Sequence, residues 1–139
     1  MKYFLMLTAL LSFPLKASEI QIFTSEGPIK FQIELAISQE EQNRGLMYRR
    51  TLHEKTGMLF INSPHLPLAM WMKNTPLSLD MIFINPQGII VHIEEATVPY
   101  STNIIGPVKN ATAIFEVLAG TCRKNDIKIG DKVSFELFQ

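Results

Sequence analysis

An all-β domain, folded as a sandwich or barrel with one or two short helices, is the class this sequence predicts. Three observations carry the prediction. Apolar and polar residues alternate with period two in several short runs, turns bearing Pro or Gly separate those runs, and helix-start signals occur at only two places.

The elements follow in order. In Ile29-Lys-Phe-Gln-Ile-Glu-Leu35 the side chains of Ile29, Phe31, Ile33 and Leu35 fall on one face and Lys30, Gln32 and Glu34 on the other, the pattern of a half-buried antiparallel strand. A shorter run, Ile20 to Phe23, precedes it across Glu26-Gly27-Pro28, so the two form a hairpin. Ser38-Gln-Glu-Glu41 is a capping box and predicts a helix from Gln39 to Met47. Met81 to Ile84 and Ile89 to Ile93 flank Asn85-Pro-Gln-Gly88, a second hairpin whose turn is set by Pro and Gly. Val98 to Lys109 has no periodicity and reads as a long loop over the sheet. Ala113 to Leu118 is a further strand, Gly120-Thr121 opens a second short helix that ends before Gly130-Asp131, and Lys132 to Phe138 alternates as the last strand.

The chain has 139 residues, with 13 basic and 13 acidic side chains. Lys2, the apolar run Tyr3 to Phe13, Pro14 and the small residues that follow read as a signal peptide over residues 1–17, cleaved after Ala17. The run is too short to span a bilayer, which needs roughly 20 apolar residues. Residues 18–139 are then a single exported domain, periplasmic or secreted, with no later membrane span. Loss of Lys2 and Lys16 would leave it slightly acidic, and no basic run or basic-aromatic patch remains to bind nucleic acid. Cys122 is the one cysteine, which excludes a disulfide within the chain; it reads as a passenger near the second helix. The domain is expected to be a monomer.

Chemistry is concentrated in Leu68 to Ile84, where Trp71, Lys73, Asn74, Asp80 and three Met interrupt otherwise apolar sequence. Polar groups in such a run need partners, because burying one unpaired costs roughly 2–7 kcal/mol. Read as a strand, this segment puts Asn74 with Met70 and Met72 on one face and Lys73 with Trp71 on the other. Asp80 and Glu116 each have apolar neighbours on both sides. Either carboxylate is satisfied internally, Asp80 by Arg44 or a backbone amide, or the two share a cavity and divide acid and base work. Arg44, followed by Gly45, pairs with an internal carboxylate or grips a bound acid with its two-pronged guanidinium. Met70 and Met72 have the spacing of two strand-borne Cu(I) ligands, although methionine is more often adaptable core filler, and His53, His65 and His92 lie at no ligand-like spacing from them. No metal site or cofactor is expected.

Arg44-Gly-Leu-Met47, Gly57-Met-Leu-Phe60, Trp71-Met-Lys-Asn-Thr75, Leu79-Asp80, Phe115-Glu-Val117 with Gly120, and Ile129-Gly-Asp131 resemble, in order and spacing, the domain-of-unknown-function family 192. The resemblance covers about Phe31 to Phe138, with Phe115 where the family usually carries Leu. It implies a compact β-rich domain resembling a jelly roll, commonly exported, and it implies no reaction.

Three functional expectations result. The leading one is a binding or accessory module for a polar small molecule or cell-envelope component, with Arg44, Trp71, Lys73, Asn74, Asp80 and Glu116 as the ligand-binding candidates. The others are a hydrolase-like enzyme using Asp80 and Glu116, and Met-based Cu(I) binding. The three motifs ending at Met47, Phe60 and Thr75 should also converge, burying Met47, Met58, Met72 and Trp71 in the single core that a domain this small has room for, with Arg44 near a carboxylate or a cluster of carbonyls.

Overall fold

The computed structural model describes residues 18–62 and 68–135. The expected leader, the loop at Ser63-Pro64-His65 and the end of the last strand lie outside the described residues. Seven strands and two short helices follow in the order β1 (Glu19–Thr24), β2 (Gly27–Ala36), α1 (Gln39–Arg44), β3 (Thr56–Ile61), β4 (Leu79–Ile84), β5 (Ile90–Glu94), β6 (Ala113–Leu118), α2 (Thr121–Lys124) and β7 (Lys132–Ser134). They form one sheet in the spatial order β5-β4-β6-β3-β2-β1-β7. Its edges approach each other, with Ile89 bridging Lys132 and the Val133 N–H donating to the Gly88 carbonyl at 2.7 Å. The result is a nearly closed barrel, and the all-β class with two short helices is borne out.

Both expected hairpins form. Ile22 stands opposite Ile29 in β1–β2, and Ile82 opposite Ile93 in β4–β5. The Asn85 side chain fixes the second turn by accepting from the Gln87 and Ile89 amides. The capping box also forms: Ser38 accepts from the Glu41 amide while Glu41 accepts from Ser38 and Ile37. The helix is shorter than expected, ending at Arg44 because Gly45 breaks it with φ 46°. That conformation is disfavoured for L-residues.

Three expectations are corrected. Thr56–Ile61 is a strand the alternation test does not register, since it lies centrally, parallel to β2 and antiparallel to β6, with Gly57 to Phe60 all buried. A strand covered on both faces loses its polar alternation. Residues 69–78 are not a strand: Met70 makes an isolated bridge with Ile105, and Lys73-Asn74 is a turn with Asn74 at φ 54°. The face assignments for Met70, Met72, Lys73 and Asn74 fall with it.

The third correction concerns the core, of which there are two. All seven strands send side chains into the barrel, where Ile22, Phe31, Leu59, Ile82, Phe115 and Val133 pack with Cys122 from α2. The opposite face of β3, β6 and β4 carries Met58, Phe60, Met81, Phe83 and Ile114, which Leu46 and Met72 cover from the connecting loops. The three motifs do converge on this outer core with Met58 and Met72 buried. Met47 is only half-buried and Trp71 is 41% exposed, so neither is core.

Candidate functional site

Successive residues of a strand face opposite sides, and directly paired residues on neighbouring strands share a side. Asp80 on β4 pairs with Val117, which belongs to the barrel interior, whereas Glu116 on β6 stands between Met58 and Met81 of the outer core. The two carboxylates therefore lie on opposite faces of the sheet. They cannot divide acid and base work over one substrate, which overturns the hydrolase-like reading.

Asp80 is a structural knot. One carboxylate oxygen accepts from the Ala96 amide at 2.9 Å, and the other from the Gly120 and Cys122 amides at 3.1 and 3.0 Å. It thereby ties β4 to the loop after β5 and to the start of α2. Of the expected partners, the backbone amide is the one found. Cys122, buried beside this carboxylate, has its thiol pushed far up by desolvation and by the Asp80 charge, which removes its reactivity.

Glu116 has the opposite character. It is 3% exposed, and burial pushes its carboxyl from 4.5 up to about 8, so it is mostly neutral at pH 7. No hydrogen bond or ion pair reaches its side chain from any described residue. Every fully buried side-chain nitrogen or oxygen among the described residues has a partner, so this unpartnered carboxyl must open onto a void.

That void is a cavity of about 480 Å³ between the outer face of the sheet, α1 and the loop at 68–75. Glu116, Phe60, Met70 and Met72 contribute to its wall together with Arg44 and Trp71. Helix α1 buries none of its residues, and the Gln42 side chain fastens it to the sheet by donating to the Ala36 and Ile61 carbonyls at 3.1 and 2.7 Å. Arg44 is exposed at the end of this helix and forms no ion pair or side-chain hydrogen bond with a described residue. The expected contact with a carboxylate or carbonyl cluster is absent among the described residues. Lys73 stands over the Trp71 ring, its Nζ 5.1 Å from the centroid, and holds the ring at the mouth by a cation–π contact.

The loops around the mouth are joined backbone to backbone. The Tyr48 amide donates to the Asn74 carbonyl at 2.8 Å, the Tyr100 amide to Thr75 at 3.0 Å and the Met72 amide to Ser101 at 2.9 Å. Tyr48, Asn74 and Tyr100 all take positive φ, a left-handed conformation that costs a non-glycine residue roughly 1 kcal/mol or more. Tyr48 and Tyr100 are thereby held out in solvent, 72% and 61% exposed.

Of the six candidates, Arg44, Trp71 and Glu116 line the cavity and Lys73 reaches it through Trp71. Asn74 instead donates to the Tyr48 hydroxyl at 3.1 Å, and Asp80 lies on the far face. Met72 is 1% exposed in the outer core, and without a strand the reasoning that made Met70 and Met72 a ligand pair has no footing. Among the described residues no cluster of three or more His, Cys, Asp or Glu could hold a metal. Sequence reasoning missed Asn62, Gln42 and Thr75 on the wall. The available signal was the wholly polar Gln39–Arg44 helix, which has no apolar face of its own to bury.

The sequence model of domain-of-unknown-function family 192, described as an uncharacterized ACR, matches residues 21–135. The chain belongs to this family. Among solved structures, this family-192 domain is similar to a protein from Sinorhizobium meliloti 1021 provisionally described as a transcription regulator, at 36% identity over 85% of this chain and 92% of that one, with a TM-score of 0.81. It is equally similar in fold to a protein of unknown function from Novosphingobium aromaticivorans DSM 12444, with 30% identity over 88% and 90% of the two chains and a TM-score of 0.81. No curated protein matches the chain.

Proposed function

We propose that this family-192 domain is an exported binding module whose cavity takes a small molecule with an apolar body and a hydrogen-bonding head. The single observation behind this reading is the unpartnered Glu116 carboxyl on the wall of a cavity of about 480 Å³. Ligand pockets are mostly apolar and carry a few convergent polar groups, typically in volumes of roughly 300–1,000 Å³. Met70, Met72 and Phe60 would enclose the body of the ligand, Trp71 would lie against it at the mouth, and Arg44 would favour an anionic group there. Export to the periplasm or medium is part of the proposal and rests on the leader-like residues 1–17. A DNA-binding role is the weaker reading, because the basic and acidic residues balance and no basic run is present.

Trp71 is the one tryptophan in the chain and reports directly on occupancy. A screen of small polar-headed fragments and envelope sugars against the domain from Ser18 onward should yield compounds that both raise the melting temperature and change Trp71 fluorescence. A folded protein whose Trp71 signal responds to none of them would refute the reading.

A further inference from the structure

The cavity contains information about the head group of its ligand. The carboxyl of Glu116 stands on the wall with Met58 of β3 and Met81 of β4 on either side, so its strand neighbours offer it neither charge nor hydrogen bond. From α1, Arg44 is the only other ionisable side chain on the wall among the described residues, and the loop at 68–75 contributes Met70, Trp71, Met72 and Thr75. Lys73 stands against Trp71.

Three head groups could meet a carboxyl here. An ammonium would gain an ion pair with ionised Glu116, but the free charges near the cavity, Arg44 on its wall and Lys73 at Trp71, are both cationic and oppose it. A carboxylate could be drawn to Arg44 at the mouth, but at Glu116 it would bring a second negative charge to the spot where burial already suppresses the charge of Glu116 itself. An amide avoids both penalties. A neutral carboxylic acid presents one O–H donor and one carbonyl acceptor on a single edge, and an amide presents the complementary N–H and C=O, so the two join through a pair of hydrogen bonds.

We infer that the Glu116 carboxyl, aimed unpartnered into the cavity, recognises an uncharged amide or lactam edge, so that the ligand class is an amide-headed molecule with an apolar body. This inference rests on the cavity being a binding site, and it adds the chemistry of the head group.

The test compares phenylacetamide, phenylacetate and phenethylamine, which share one apolar skeleton, by calorimetry and Trp71 fluorescence. The amide should bind at least about tenfold more tightly than the acid or the amine at pH 7. Its affinity should fall by about tenfold per pH unit above the Glu116 pKa of about 8, as the donor proton is lost. Glu116→Gln, which keeps one donor and one acceptor at every pH, should retain amide binding and abolish that decline. Glu116→Met, matched to its two methionine neighbours and therefore compatible with folding, should lose at least about tenfold in amide affinity. Tightest binding by the amine, increasing with pH, would overturn the inference, as would tightest binding by the acid, unchanged amide affinity in Glu116→Met, or no binding by any of the three. Ligands from the broader screen that perturb Trp71 without any amide preference would sink the head-group assignment while leaving the binding site standing. Silence of Trp71 throughout that screen would remove both.

Discussion

Asp80 and Glu116 are carboxylates on adjacent strands, one residue out of register and both nearly inaccessible, yet their surroundings give them opposite roles. Asp80 faces the barrel interior and accepts three backbone N–H bonds that close one end of the fold. Glu116 faces the outer core, receives none from any described residue, and borders the cavity. Backbone donors can replace water around a buried carboxyl, and one without such partners keeps its proton. Burial alone therefore does not distinguish a structural acid from a candidate binding group; the number of donors around it does.

Removing Asp80 is the most damaging way to break the comparison. Asp80→Ala strands three donors, and at roughly 2 kcal/mol for each buried donor left unsatisfied the loss is about 6 kcal/mol, comparable to the whole stability of many domains. Asp80→Asn retains acceptor capacity and should lose about half as much. Urea titration of the two variants checks the order. An Asp80→Ala protein as stable as the parent would show that the three bonds are not what holds β4 to the loop after β5 and to α2.

Glu116 should instead make stability depend on pH. Its carboxyl binds its proton more tightly in the folded state, at about 8, than at the ordinary 4.5 expected when unfolded. Between those values the folded state carries more protons than the unfolded state, so stability falls as pH rises, by about 1.4 kcal/mol per unit and up to about 5 kcal/mol in total, and then levels off. Glu116→Gln should flatten this decline between about pH 5 and 8. Chemical denaturation at a series of pH values measures it, and a parent protein with no such slope would mean that Glu116 is ionised and partnered in solution.

The difference between the two acids was only partly legible in the sequence. Alternation located β2 and both hairpins, and Ser38 with Glu41 located α1, because those signals are local. β3 was hidden by the same burial that makes it central. The mouth of the cavity was misread because its Asn74 and Tyr48 turns need positive φ, which no apolar period announces. Both carboxylates could be picked out as conspicuous, but which face each occupied followed from the pairing of β4 with β6, a contact between segments far apart in the chain. Trp71 was expected inside because the family-like motif around it is apolar; a second, loop-covered core buries Met72 and leaves Trp71 at the rim.

Gly57 tests how closely Glu116 is held. A Cβ at position 57 would come within 2.4 Å of the Glu116 carbonyl oxygen and 2.5 Å of the Phe115 ring, so only glycine lets β3 lie against β6 at this point. Gly57→Ala should cost about 3 kcal/mol through forced displacement of backbone, and it should shift the pH midpoint assigned to Glu116 as the strand moves. A Gly57→Ala variant with the parent's stability and titration would show that the sheet yields there without disturbing the acid.

Trp71 gives the smallest effect and separates mouth from core. A fully buried Trp replaced by Ala costs roughly 3–5 kcal/mol. Trp71 is 41% exposed and is held on one side by Lys73, a contact worth under about 1 kcal/mol at a surface. Trp71→Ala should therefore lower stability by no more than about 2 kcal/mol, while weakening any cavity ligand at least about tenfold through the lost ring face. Because the variant has no tryptophan, calorimetry replaces fluorescence as the binding readout. A loss near 5 kcal/mol would place the ring inside the outer core in solution. A small loss of stability with unchanged affinity would mean that the ligand sits deeper, against Glu116 and the methionines, and that the exposed rim has no part in holding it.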